Sequence, residues 1–485
     1  MNFWRLRKII HTSWIIAIAS ASIVVGVISV QYINQSFFAS YVWLLTGLGL
    51  MAIVLWKQRV GLIPLIIVSG LLIGAWRGSI EQSKLHVYQK IYGAHVSLSG
   101  KVTDDADIGQ NGEVIIRLSD VTINKHSVAG KIWASTTKNR DIKRGDIIFI
   151  SGKVQPGFGN FSATMYRAEV TKVQRPEPGD VARRVRDWFA DAVRGAIPEP
   201  QASLGVGYLV GQRRALPPDL NEALRIAGLT HVVVASGYNL TILVRFARRL
   251  FEKVSKYLSA LSASIMIVSF VAITGLSPSM SRAGLIASLS LFAWYYGRKF
   301  HPLVLLPFAA AVTLIISPSY GWNDLGWQLS FAAFAGVMIV APLAHRYFFG
   351  DKKPGTIRQI LGETIAAQIV TLPLLIMAFG QFSNVAIVAN LLVLPLVPLA
   401  MILTFAAGVF TLIVTAASSI VGVPARLLLT YMTSVTHYLA GLPWAISDVT
   451  LNVVGVAASY VIIIGFCVYM WRKTGYSLRD ANIVE

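Results

Sequence analysis

Cysteine is almost missing from this sequence: its 485 residues contain one, Cys467, set inside the last apolar run. Within these residues an intramolecular disulfide and a cysteine-based zinc site are therefore excluded. The eight histidines (His11, His86, His95, His126, His231, His301, His345 and His437) form no H-x-H or H-E-x-x-H pattern, so no metal is expected. No Walker A sequence occurs, which leaves the chain without an ATP motor of its own, and no other cofactor is expected. Charge is scarce as well, at 14% Asp, Glu, Lys and Arg against 55% hydrophobic residues.

What is present is a series of apolar runs of membrane-spanning length, which makes this a polytopic α-helical membrane protein. The formal net charge of +20 would suggest nucleic acid in a soluble chain, yet membrane proteins carry excess Lys and Arg to fix cytoplasmic loops. The start, MNFWRLRK before an apolar run over 13–30, reads as a signal anchor with its N-terminus inside. Spans are expected near 13–31, 41–56 and 60–76, then near 229–245, 259–275, 282–297, 302–317, 326–344, 361–380, 384–412, 422–441 and 452–471. The 384–412 run, with Pro395 and Pro398, is too long for one straight helix and is expected to be broken or re-entrant. Basic loops then fall on the cytoplasmic side, together with both termini.

Between them, residues 86–176 lack a membrane-length apolar run and alternate with period two. Five strands are expected, at 95–102, 113–121, 127–135, 146–154 and 163–173, separated by glycine turns such as Gly145 and Gly157. This pattern suits a small extracytoplasmic β-barrel of OB-like type. Over 93–176, twelve Lys or Arg face eight Asp or Glu, a surplus compatible with single-strand binding and equally with a solvated surface. Trp133, Phe149, Phe158, Phe161 and Tyr166 are candidate stacking platforms, of which at least two are expected in the core. The domain limits read as 1–80 for N-terminal transmembrane helices, 86–176 for the β domain, 178–198 for an amphipathic interfacial helix with Trp188 at the interface, 200–472 for a transmembrane domain, and 473–485 for a cytoplasmic tail.

The densest chemistry lies in GLTHVVVASGYNLTILVR, residues 228–245, where polar groups interrupt apolar sequence. An embedded polar group costs roughly 2–4 kcal/mol unless it meets a partner or a wet cavity. His231, Ser236 and Asn239 either hydrogen-bond between helices or line a pathway, and Gly237 among them suggests a helix break of the kind found at transporter sites. Upstream, Asp219, Glu222 and Arg225 lie one turn apart and fit a salt-bridged surface helix. Ser236 lacks a G-x-S-x-G elbow or an S-x-x-K lysine, so no catalytic residue is expected. Arg282, Asp324, Gln328, Gln368 and Asn390 add further polar groups to apolar stretches, as interhelical ties or as parts of a wet passage.

Four stretches carry a resemblance: LVGQRRALPPDLNEALRIAGLTHVVVASGYNL (209–240), ITGLSPSMSRAGLIA (273–287), DLGWQLSFAAFAG (324–336) and QIVTLPLLIMAFGQFSNVAIVANLLVLPLVP (368–398). In that order they resemble the ComEC family, the integral membrane channels of bacterial DNA uptake, and the N-terminal spans with an OB-like region match the family's front half. Two departures stand out. Many members carry histidine where this chain has Tyr238 and Asn239, and longer members end in a metallo-β-lactamase-like domain, whereas this sequence stops after its last span, so no nuclease activity is expected of it.

The resemblance implies passage of one DNA strand through the inner membrane during natural transformation. It casts His231, Ser236, Gly237, Asn239, Asp324, Gln328, Gln368 and Asn390 as path lining and Arg213, Arg214, Arg225, Arg245 and Arg282 as phosphate contacts. Lys101, Trp133, Lys153 and Phe161 become DNA contacts of the OB-like domain. Implied partners are single-stranded DNA, membrane lipid, a DNA receptor, a separate nuclease and a cytoplasmic ATP-driven translocase, with the oligomeric state open. The alternative is an ion-coupled transporter of an anionic solute or lipid-linked substrate; a scaffold role would leave the embedded polar residues idle.

Overall fold

The structure, a computed structural model, describes residues 9–33, 35–108, 112–123, 126–137, 141–212, 216–233, 237–275, 277–297, 301–351, 354–414 and 418–476. It divides into two units: Met1–Asp180 with Leu303–Gln328, and Val181–Pro302 with Leu329–Glu485. Seven helices among the described residues are long and apolar enough to cross a membrane, and two shorter apolar helices, Tyr41–Lys57 and Pro302–Ile316, accompany them. That count falls below the twelve expected spans. Of the expected 229–245 span, the described residues are helical over Thr230–Val233 and over Gly237–Phe251, and 234–236 lie outside the described residues.

In the first unit, helices Thr12–Ser29 and Ile63–Gln89 approach until backbone meets backbone. Gly70, Gly74 and Gly78 repeat every fourth residue and so share one face. A Cβ on Gly70 would lie 2.6 Å from the Ala19 carbonyl oxygen, and one on Gly26 2.5 Å from that of Leu71; one on Gly74 would overlap the Ile23 carbonyl. Further ties gather on this seam: Ser69 Oγ donates to the Gly47 carbonyl at 2.6 Å, and Trp322 Nε1 to that of Val27 at 2.9 Å. Arg77 donates to the Ile315 and Ile316 carbonyls at 2.8 and 3.1 Å, satisfying the open end of the Pro302–Ile316 helix.

The Ile63–Gln89 helix leads straight into the sheet, and Tyr88 in its last turn is fully buried in the sheet's core. Nine strands follow: β1 (His95–Val102), β2 (Asp107–Ile108), β3 (Val114–Ile123), β4 (His126–Val128), β5 (Ile132–Thr136), β6 (Ile147–Lys153), β7 (Gln155–Pro156), β8 (Ala163–Met165) and β9 (Glu169–Gln174). Their order is β7-β8-β5-β3-β1-β6-β9, with β2 and β4 on β3; only the β5/β8 pairing is parallel. The ladder is open between β7 and β9, so a small sheet is established and closure into a barrel is not. Strands of two and three residues at the β7/β8 end are too short to carry pairing round to β9.

Alternate positions of β3 and β6 point inward, and the core is filled by Leu98, Ile116, Leu118, Ile132, Ile148, Ile150 and Met165. Branched aliphatics fill this interior, and none of Trp133, Phe149, Phe158, Phe161 and Tyr166 is buried, which corrects the expectation that two or more would be core. The Arg144-Gly145-Asp146 turn closes on a buried carboxylate. Asp146 is 1% exposed and accepts from Arg175 at 2.8 and 2.9 Å and from the Lys143 N–H at 2.9 Å. These bonds hold the Arg175 guanidinium well above its ordinary pKa.

In the second unit the Gln201–Val210 helix is enclosed along nearly its whole length and forms the largest core with helices Val181–Ala196, Val397–Ile413 and Ser418–Ala440. Val181–Ala196 is amphipathic and exposes Trp188, yet Arg183 and Arg186 are buried and pair with Asp187 at 3.3 and 2.8 Å. Its other face meets Gly408, whose missing Cβ leaves room for Phe189 and Val193. The long apolar run is helical over Ala386–Val393, tightens to a 3₁₀ turn at Leu394–Leu396, and resumes at Val397–Ile413. Pro395 sits in that turn, at a first-turn position where its missing N–H leaves no helical hydrogen bond unmade.

The glycine seam makes a direct prediction. Gly26→Leu should lower the stability of the detergent-solubilised chain by about 2 kcal/mol or more, because the neighbour is backbone and cannot yield. Gly465→Leu, where a Cβ meets open space, should leave the thermal midpoint nearly unchanged.

Candidate functional site

The Pro218–Ile226 helix of the second unit starts at Pro217 and Pro218, whose fixed φ suits a first turn, and Asp219 lies in that turn near the positive dipole end. The Pro218–Ile226 helix ends on Gly228 at φ 71°. Two bonds define the stop: the Leu229 N–H donates to the Leu224 carbonyl at 2.8 Å and the Gly228 N–H to that of Arg225 at 3.1 Å. This is a Schellman cap, and the buried Leu229 and Leu224 belong to one apolar cluster. A Cβ on Gly228 would also sit 2.7 Å from that of Ala386. Glycine is thus required twice over.

Beyond the cap, His231 is exposed and its ring is hydrogen-bonded to the Gly228 backbone. Gly237 opens the next helix and is exposed. Asn239 is wholly buried, and its Nδ2 donates to the Tyr208 carbonyl at 3.1 Å, in the last turn of the Gln201–Val210 helix. That bond ties two helices together by filling one of the carbonyls a helix end leaves open. Ser236, Arg213 and Arg214 lie outside the described residues.

The other arginines differ in what they have to offer. Arg225 is exposed but makes a two-pronged bond to Glu222, at 2.6 and 2.9 Å, and reaches Gln381 at 3.2 Å. The same bond holds the Glu222 carboxyl below its usual pKa and Arg225 above its own, so the pair is ionised and mutually neutralised. Arg282 is buried, lies 5.2 Å over the Phe331 ring and donates to the Ser279 carbonyl at 3.2 Å. Arg245 is exposed. Gln368 and Asn390 present a different feature: their side-chain carbonyl oxygens are buried and have no hydrogen-bond partner among the described residues, and the Thr404 hydroxyl shares this state. Such orphans are rare and mark places where water or a ligand completes the structure.

Asp324 and Gln328 belong to the first unit. Asp324 Oδ1 accepts from the Trp327 N–H at 2.8 Å, capping the Leu325–Ala335 helix, and Oδ2 accepts from Asn160 at 2.7 Å. The carboxylate is therefore a junction between that helix and the loop after β7. Gln328 is half-buried one turn later.

The same loop carries part of an aromatic row. Ring centroids run Phe161 to Phe158 at 5.6 Å, Phe158 to Trp133 at 5.7 Å and Trp133 to Tyr166 at 5.2 Å. Phe158 and Tyr166 are each 50% exposed. All four are among the stacking platforms the sequence offers, with Trp133 and Phe161 the expected contacts among them; Phe158, which links these two, and Tyr166 complete the row. Flanking glycines at 157 and 159 were the available signal for Phe158, since they mark a loop rather than a core strand. Arg117 stands opposite Trp133 in the β3/β5 register, paired with Asp107 at 2.6 Å. Lys101 on β1 and Lys153 on β6 are exposed, and Lys172 lies 5.9 Å over Phe149.

A family model described as "Competence protein" matches residues 208–474. The chain is 24% identical over 271 residues to ComE operon protein 3 of Bacillus subtilis (strain 168), covering 53% of this chain and 34% of that one. It is 23% identical over 296 residues to an uncharacterized protein of Aquifex aeolicus (strain VF5), covering 60% of this chain and 65% of the relative. The alignments thus span about a third and just under two thirds of these relatives. No solved structure matches.

The cap at Gly228 can be tested by comparison. Gly228→Ala should destabilise the chain by about 2 kcal/mol, combining left-handed strain with the clash at Ala386. Gly380→Ala, at φ 66° with open space around it, should show only the conformational part, about 1 kcal/mol, in the same thermal unfolding measurement.

Proposed function

Because the chain belongs to the competence protein family, we propose that this multi-pass membrane protein passes single-stranded DNA into the cytoplasm during DNA uptake. In this reading the sheet is an OB-like, extracytoplasmic module that receives the strand, and both chain termini are cytoplasmic. The row of Trp133, Phe158, Phe161 and Tyr166, half-buried at Trp133 and Phe161 and exposed at Phe158 and Tyr166, carries the reading. Every base has a π face, so a row of aromatic side chains holds a strand without regard to sequence, and Lys101 and Lys153, exposed on β1 and β6, supply phosphate attraction. Within the bundle, the unsatisfied oxygens of Gln368 and Asn390 supply neutral dipoles to a hydrated path, to which His231 and Gly237 also belong. The protein acts as a conduit without catalysis of its own. A DNA receptor, a nuclease for the other strand and an ATP-driven cytoplasmic translocase are its partners by chemistry: something must deliver, trim and pull the polymer.

Fluorescence anisotropy of a labelled oligonucleotide with the purified full chain tests this. Phe158→Ala and Tyr166→Ala should each weaken binding about tenfold, since stacking contributes about 1–3 kcal/mol per base. Lys101→Gln with Lys153→Gln should flatten the dependence of affinity on salt by about one phosphate per lysine. Oligonucleotide binding that ignores all four changes would remove the sheet from the DNA path, and an absence of binding would move ion-coupled transport of an anionic solute to first place.

A further inference from the structure

Helices Lys256–Thr274 and Pro278–Tyr295 form a hairpin in the second unit, and a groove of about 320 Å³ runs between them. Its floor is made by small residues, Ala260, Ser264 and Ser288, and its walls include Ile267, Leu291 and Phe292. The Ser264 hydroxyl is turned back on the Ala260 carbonyl at 2.8 Å, so the floor presents little polarity. The lining residues Val268, Phe292 and Tyr296 are 70%, 55% and 60% exposed, so the groove opens on a surface of bare apolar side chains. On a helix that crosses the bilayer, that surface meets hydrocarbon.

One end of the groove is cationic. Lys256 lies one turn before Ala260, and its Nζ sits 5.6 Å from the ring centre of Tyr295, itself a lining residue, and 5.8 Å from that of Trp294. The Arg248 guanidinium lies 4.9 Å from the same Trp294 ring, is buried, and its Nε has no hydrogen-bond partner among the described residues. No carboxylate is within ion-pair distance of either cation among the described residues; Glu252 acts on Arg248 from further away, and Arg245 and Arg249 add like charge. Two cations gathered on one indole, beside an apolar slot that opens to lipid, are complementary to a group with a negative head and a hydrocarbon tail.

We propose that this groove binds an anionic phospholipid, with one acyl chain between the two helices and its phosphate at Lys256 and Arg248. The volume suits a chain segment, and the apolar lining leaves the phosphate at the cationic end. A nucleic acid would gain the phosphate contact but nothing from the apolar slot, which offers a base no hydrogen-bonding edge.

Native mass spectrometry of the full detergent-purified chain, given equal phosphatidylglycerol and phosphatidylcholine, reads this directly. The wild-type chain should retain phosphatidylglycerol in preference, and Lys256→Gln, an exposed change that leaves the helix intact, should cut that preference about fivefold. Ser288→Trp, which fills the slot, should reduce retention of both lipids while the folded charge-state distribution is kept. Equal retention of the two lipids by the wild type, or an undiminished preference in Lys256→Gln, overturns the proposal. So does displacement of phosphatidylglycerol by a single-stranded oligonucleotide, which would make the cationic cluster a nucleic-acid contact.

Discussion

Backbone contact between the Thr12–Ser29 and Ile63–Gln89 helices is the constraint on which the first unit rests. In hydrocarbon there is no hydrophobic gain in burying one apolar helix against another, so association depends on packing at short range, which glycine alone permits. The second helix does not stop at the membrane boundary. At 27 residues it is roughly 40 Å long against a hydrocarbon core of about 30 Å, and its overhang reaches the interior of the β-sheet through Tyr88. Arg77 and Trp322 then bring the 303–328 segment to the same seam, and Asp324 fastens its end to Asn160 beside the aromatic row. A sheet carried on one rigid helix and pinned at a second point has a fixed orientation relative to the helices beneath it, which a loose linker would not give.

Polar groups placed in apolar surroundings fall into two kinds. Asn239 and Asp324 are spoken for: each is hydrogen-bonded, which offsets its burial. The oxygens of Gln368, Asn390 and Thr404 are not, and in a folded chain each unsatisfied buried acceptor costs about 1–3 kcal/mol. The first kind builds the fold, and the second is retained at a cost that only a further partner can offset.

Much of this architecture is visible in the sequence, for identifiable reasons. Apolar runs locate helices because the bilayer admits little else, and period-two alternation locates strands because one face of the sheet is core. Helix ends are harder. The third span was expected to stop at 76, where Arg77, Glu81 and Lys84 end the apolar run, but these residues favour helix and Arg77 pairs with Glu81 at 3.1 Å, so the helix continues to Gln89. The aromatic residues of the sheet were misjudged because their size suggested core, whereas alternation put branched aliphatics there first. Partners such as the Tyr208 carbonyl for Asn239, thirty-one positions away, leave no local trace.

The distribution of cations bears on how a charged polymer could pass. A low-dielectric interior strengthens every ion pair, so an embedded arginine must find a partner within the fold. Arg183 and Arg186 pair with Asp187, Arg282 lies on Phe331, and even exposed Arg225 is neutralised by Glu222. What remains accessible is on the surface: Lys101 and Lys153 on the sheet, Arg245 and Lys256 near the hairpin. A pathway lined with unpaired arginines would hold phosphates tightly and release them slowly, whereas conduction needs sites weak enough to leave. In the proposed passage of a strand, aromatic faces and neutral amide oxygens would meet that need, since each contributes little and neither selects for a base.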